Sequence, residues 1–300
     1  MSLAQLYQNY LQKLNNQNQA FELAAALEQA GFRLEGNLLK RYFTEGSGPL
    51  QLGEESGVWA GYSVWLGPRP PQAFQAGQIW FDTVELVPML LLPRTDLPDP
   101  EFMVDPSILD EMTPFVSWIA LRTVANWQYA TFLALAPIGK RVVQIEPPFP
   151  LLSQARIING GETNPVTNLT EGEARFYANW FGKGLSDRSD WEVAFEFLPP
   201  TNLTALWGLP GKEWAGSLDE DWKVVVTPET FELELDPRDE LDNDEEPAPN
   251  LRMLYSEWQT PAGVSFRTHV SSQIGLFKDA SPTPTSLENI QLLEVFSRPG

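Results

Sequence analysis

One histidine and no cysteine bound the chemistry open to this 300-residue chain. Without cysteine there is no disulfide, no thiolate nucleophile and no thiolate ligand for copper or zinc. His269 stands alone, so no site that needs several imidazoles can be assembled. It falls in Ser265 to Val270, a stretch that reads as a strand, where a single histidine is expected to be structural. There is no nucleophile elbow, Walker loop or G-x-G-x-x-G, and no Ser–His–Asp set can be argued from the sequence. Carboxylates abound, but 40 acids guarantee chance pairs, so none is singled out as acid or base. The densest acidic stretch, Asp236 to Glu246, offers oxygens to a hard cation, yet it lacks the EF-hand order. It is expected to be a solvated loop.

The net charge of −20 repels a phosphate backbone and an anionic bilayer surface. No nucleic-acid or membrane partner is expected; a protein partner is. The longest apolar run, Val87 to Leu92, is interrupted by Pro88 and too short to cross a membrane. The first residues carry no basic region followed by an apolar core, so a cytoplasmic protein is expected. The Asn-x-Thr matches at Asn168 and Asn202 are then fortuitous.

The elements that must hold any site follow from periodicity. Leu3, Leu6, Tyr7, Tyr10, Leu11 and Leu14 predict one amphipathic helix. Ala20 to Ala30 predicts a second, ended by Gly31. This hairpin is expected to pack on its own domain. From residue 32 to 100, short apolar stretches alternate with Gly and Pro: Val58 to Ala60, Tyr62 to Leu66, Gln78 to Phe81 and Val87 to Leu92. They predict irregular β structure with long connections. Trp222 to Val226 and Phe231 to Leu235 read as strands, and Gln273 to Phe277 as a closing strand. The most explicit local code lies in residues 164–198. Thr170 with Glu173 forms a capping box, and Ala174, Tyr177, Ala178 and Phe181 line one helix face. Gly182-Lys183-Gly184 stops that helix. Ser186 is the expected cap of a second, with Trp191, Ala194, Phe195 and Leu198 as its buried face.

The same segment resembles the sulfatase-modifying-factor (formylglycine-generating enzyme) family. The matching residues are Pro165-Val-Thr-Asn168, Ala174, Trp180, Gly182-Lys183-Gly184-Leu185 and Asp190-Trp191-Glu192-Val193-Ala194. Upstream, Asn126, Gln128 and Tyr129 keep the spacing of the family's N-x-Q-Y stretch. The likeness covers roughly residues 75–280 and fades toward the C-terminus. There Glu213-Trp214 stands for a longer family stretch beside a calcium site, and Arg267 for a closing-strand arginine. The resemblance implies an α+β, C-type-lectin-like fold with much irregular structure, over residues 71–300, preceded by an N-terminal segment, 1–70, that is helical and β.

The family's oxidation of a substrate cysteine uses copper held by cysteines, and its sulfoxide-synthase relatives use three histidines. This chain has neither set, so those reactions are excluded. The reading that remains is a catalytically silent binding or scaffold module. Its alternatives are an enzyme of the same fold with a carboxylate site, or a retroelement-diversified target-binding protein. No cofactor is expected, with calcium at Glu213 as the exception the resemblance allows. Trp59, Trp65, Trp80, Trp207, Trp214 and Trp258 are expected in the core for the most part, with a binding groove as the other use of such rings.

Overall fold

The computed structural model describes residues 1–71, 77–93, 115–136, 161–186, 188–207, 212–215, 222–226, 252–256 and 263–273. The acidic stretch, Phe231 to Leu235, Trp258 and residues 274–300 lie outside them. The chain is a mixed α+β fold. Helices α1 (Leu3–Gln12), α2 (Gln17–Gln29) and α3 (Arg33–Glu45) come first. After the sheet begins come α4 (Asn126–Leu135), α5 (Glu171–Trp180), α6 (Arg188–Phe197) and α7 (Pro200–Trp207).

The main sheet contains β1 (Gly48–Gln51), β2 (Ser63–Gly67), β3 (Ile79–Asp82), β4 (Val87–Pro93), β5 (Phe115–Ala120), β6 (Gly184–Leu185) and β10 (Thr268–Gln273). Its order is β1-β2-β3-β4-β5-β10-β6. Only β2 and β3 run parallel; the other neighbours are antiparallel. A second sheet joins β7 (Glu213–Ala215), β8 (Trp222–Val226) and β9 (Arg252–Ser256). The apolar stretch Met89 to Leu92 of β4 is explained by burial on both sides. Leu90 and Leu92 face the main core with Ile79, Phe81 and Ile119. Met89 and Leu91 face a smaller cluster with Trp80 and Trp118.

Several sequence expectations hold. Leu3, Leu6, Tyr7, Tyr10 and Leu11 are the buried face of α1. Gly31 takes φ +97°, the left-handed turn that ends α2. Thr170 and Glu173 exchange both capping-box bonds, at 2.8 and 3.2 Å. Ala174, Tyr177, Ala178 and Phe181 are buried, as are Trp191, Ala194 and Leu198.

Three expectations need correction. Residues 33–45, read as irregular β structure, form α3. Gly36 disguises it, because glycine is a poor helix former. Its absent side chain is what the packing requires. A Cβ there would fall 2.6 Å from the Ala24 carbonyl oxygen and 2.7 Å from Glu28 Cγ, where α2 crosses α3. Gly36→Ala is therefore expected to cost about 1–3 kcal/mol by overpacking. In an open helix the same change would stabilise. A urea midpoint that rises in the variant would contradict the close crossing. Second, Val58 and Trp59 end a 3₁₀ turn, Glu54–Trp59, and are not in a strand. Third, Ser186 lies two residues ahead of α6, and its buried hydroxyl has no hydrogen-bond partner among the described residues, so it is not the cap.

Residues 1–70 share sheet and core with the segments beyond residue 70. β2 pairs with β3 across the boundary expected there. Tyr7 and Tyr10 each donate a 2.6 Å bond, to the carbonyls of Val84 and Thr83. The helical hairpin thus holds the β3–β4 connection.

Candidate binding cleft

That connection, residues 83–86, is tied down from several elements. Asp82 accepts from the N–H groups of Val84 and Glu85. Gln128 at the start of α4 donates to the Glu85 carbonyl at 3.0 Å. Leu86 is held at φ +59°, a region that leucine rarely adopts. The Lys183 ammonium sits 2.7 Å from Asp82 Oδ2 and 2.6 Å from Glu85 Oε2, above the Trp80 ring. Thr268 Oγ1 donates to Glu85 as well. Burial pushes the Glu85 carboxyl up, and the facing ammonium reverses part of that shift. Burial alone would pull Lys183 down, but its two carboxylates outweigh it and hold the ammonium above its ordinary value. The group is sealed from solvent, so it organises the fold and presents nothing to a ligand.

His269 belongs to a second sealed cluster. Its Nε2 lies 3.4 Å from Asp190 Oδ2, and Ser117 Oγ donates to the other Asp190 oxygen. The sequence reading could argue no Ser–His–Asp set; the structure brings one together across three elements. Its order is Ser–Asp–His, with the carboxylate in the middle. Activating a serine needs the imidazole between hydroxyl and carboxylate. Ser117 and Asp190 are also fully buried. The Ser117 bond ties α6 to β5, and the imidazole of β10 packs beside the same carboxylate without a hydrogen bond to it.

Glu213, the expected calcium remnant, sits in β7 with both carboxylate oxygens engaged by Arg267, Nε at 2.6 Å and Nη2 to the other oxygen. Nη1 of Arg267 donates to the carbonyls of Ala120 and Leu206 at 2.8 and 2.9 Å. The guanidinium carbon lies 4.6 Å from the centre of the Trp191 ring. Among the described residues, no group of three or more His, Asp or Glu side chains converges to hold a metal ion. No described helix is long and apolar enough to cross a membrane.

Arg267 braces the back of an open cleft of about 550 Å³. One wall is the α2–α3 turn with Phe32 and Arg33, another the 3₁₀ turn with Trp59. Arg122 and Leu206 contribute from the loop after β5 and from α7. Asn202 Nδ2 donates to the Val58 carbonyl at 2.8 Å and joins α7 to the 3₁₀ turn. Backbone bonds from Asn126, Trp127 and Val166 clamp residues 162–166 along the remaining side.

Arg122 is held in the cleft by two neighbours. Its Nε pairs with Glu35 Oε1 at 2.9 Å, and its guanidinium carbon lies 5.5 Å from the Phe32 ring centre. The side chain is still 48% exposed. Glu35 is buried, which raises its carboxyl, and Arg122 offsets part of the rise.

Among the tryptophans, Trp80 and Trp214 are core, Trp65 is half-buried, and Trp59 is mostly buried while lining the cleft. No protein-family model, curated protein or solved structure matches the chain.

Sequence reasoning missed the cleft because its parts are scattered over residues 31–206. Arg122 carries no local signal of its own. Glu35 was hidden in α3, and no local signal joins it to Arg122.

Proposed function

We propose that the chain is a catalytically silent module on a sulfatase-modifying-factor-like, C-type-lectin-like scaffold, and that it acts by binding a protein partner. The observation that carries this reading is the use made of the residues that resemble the family. Gln128 holds the 83–86 loop, and the Tyr129 and Tyr177 rings stack at 5.7 Å between α4 and α5. Trp191 underlies Arg267, Lys183 is buried between two carboxylates, and Asn168 takes φ +61°. Each is a structural tie, so a scaffold can keep them while the chemistry is lost. Cysteine is absent altogether, and the lone histidine is buried beside Asp190.

The carboxylate-enzyme alternative asks for two acids with raised pKa in one pocket. Glu35 and Glu85 are both raised, but they belong to different clusters, one on Arg122 and the other on Lys183.

The test is purification of the full, tagged chain at its native level from source cells. A stoichiometric protein that recovers the chain when it is itself tagged supports the module. A chain that purifies alone and turns over a substrate ends it.

A further inference from the structure

The cleft lacks the strong negative charge of its chain. Acids outnumber bases two to one overall, 40 to 20. The described lining residues carry Arg33 and Arg122 against Glu55, and Glu35, paired with Arg122 behind the wall, brings the local balance to neutral. The walls between them are apolar and aromatic, from Phe32, Trp59, Leu121 and Leu206. The volume of about 550 Å³ suits a small molecule.

Arg122 is arranged as a receptor would be. An exposed arginine normally loses side-chain entropy when it captures an anion. Here Glu35 and Phe32 hold the guanidinium beforehand while it remains half open to solvent. A guanidinium so held presents a planar fork to a carboxylate or phosphate. The first turn of α3 lines the same cleft, and its N-cap, Phe32, supplies no side-chain bond. The helix dipole adds a partial positive charge there, which Glu35 in the same first turn offsets in part.

We propose that this cleft is a binding site for a small organic anion, a carboxylate or phosphate monoester carried on an apolar or aromatic body. The anion meets Arg122 and Arg33, and the body lies against Phe32 and Trp59.

The proposal is tested by titration calorimetry on the full chain with three probes of similar shape: phenyl phosphate, benzoate and neutral benzyl alcohol. At least one anion is expected to bind saturably, and benzyl alcohol at least about tenfold more weakly, since a charge-assisted pair contributes on the order of 1.4 kcal/mol or more. Preference for phenyl phosphate assigns the site to phosphate esters, and preference for benzoate to carboxylates. Arg122→Gln is expected to weaken the bound anion about tenfold, with Arg122→Lys keeping only part of the affinity. Arg33→Gln, which leaves the Glu35 pair intact, is the companion variant should Arg122→Gln fold poorly, and is expected to weaken binding in the same direction. The proposal is overturned if neither anion saturates, if benzyl alcohol binds as tightly as the anions, or if both glutamine variants bind like the parent.

Discussion

Replacing Lys183 with methionine is expected to destabilise the fold by about 3–5 kcal/mol at neutral pH, the usual loss when one partner of a buried ion cluster is removed. Methionine keeps an unbranched chain against Trp80, so packing is largely preserved. What is lost is the only cation that touches both Asp82 and Glu85 among the described residues. The pH dependence has a defined sign. Glu85 has a folded-state pKa raised above its ordinary 4.5. Its contribution is fully present below that value and is lost as pH rises toward the folded-state pKa. Without Lys183 that pKa rises further, so the loss widens. The gap between variant and parent should therefore narrow as pH falls toward about 4.5 and be widest near neutrality. Urea melts of both proteins across that range measure it. A gap independent of pH would show that the ammonium contributes packing and not charge.

Arg267→Met is expected to cost a similar amount, about 3–5 kcal/mol. The change strands the Glu213 carboxylate in the interior and leaves the carbonyls of Ala120 and Leu206 without their donor. A buried acceptor without a partner costs about 1–3 kcal/mol on its own. The double variant Arg267→Met/Glu213→Leu removes the stranded charge, so it should recover part of the loss, though not the carbonyl bonds. Denaturant unfolding of the two variants separates the terms. Equal losses in single and double variants would assign the whole effect to the carbonyls and to the Trp191 contact. Because Arg267 braces β5 and α7 behind the cleft, the single variant should also weaken any ligand held at Arg122.

The helices were legible where their code is local. The capping box at Thr170 and Glu173, the apolar face of α1 and the left-handed Gly31 each lie within one or two turns of chain, and each folds as its residues dictate. α3 was illegible for an equally physical reason. Gly36 lowers the local helix signal, and its purpose lies in α2, on another segment. Phe195 in α6 and the acidic stretch from Asp236 to Glu246 lie outside what the described side chains report.

Composition alone determined what the chain cannot do: with no cysteine and one histidine, thiolate-copper and three-histidine iron chemistry are excluded. The tertiary structure decided everything that depends on partners far apart in the chain. Lys183 meets Glu85 across 98 residues, Arg267 meets Glu213 across 54, and Thr268 meets Glu85 across 183. Helix and strand periods report which face of an element is apolar, but not which buried charge neutralises another. That choice is made only when the main sheet brings β3, β5, β6 and β10 together and a bridge from Glu213 to Ser265 brings β7 beside them, because an ionised group leaves water only where a counter-charge already waits.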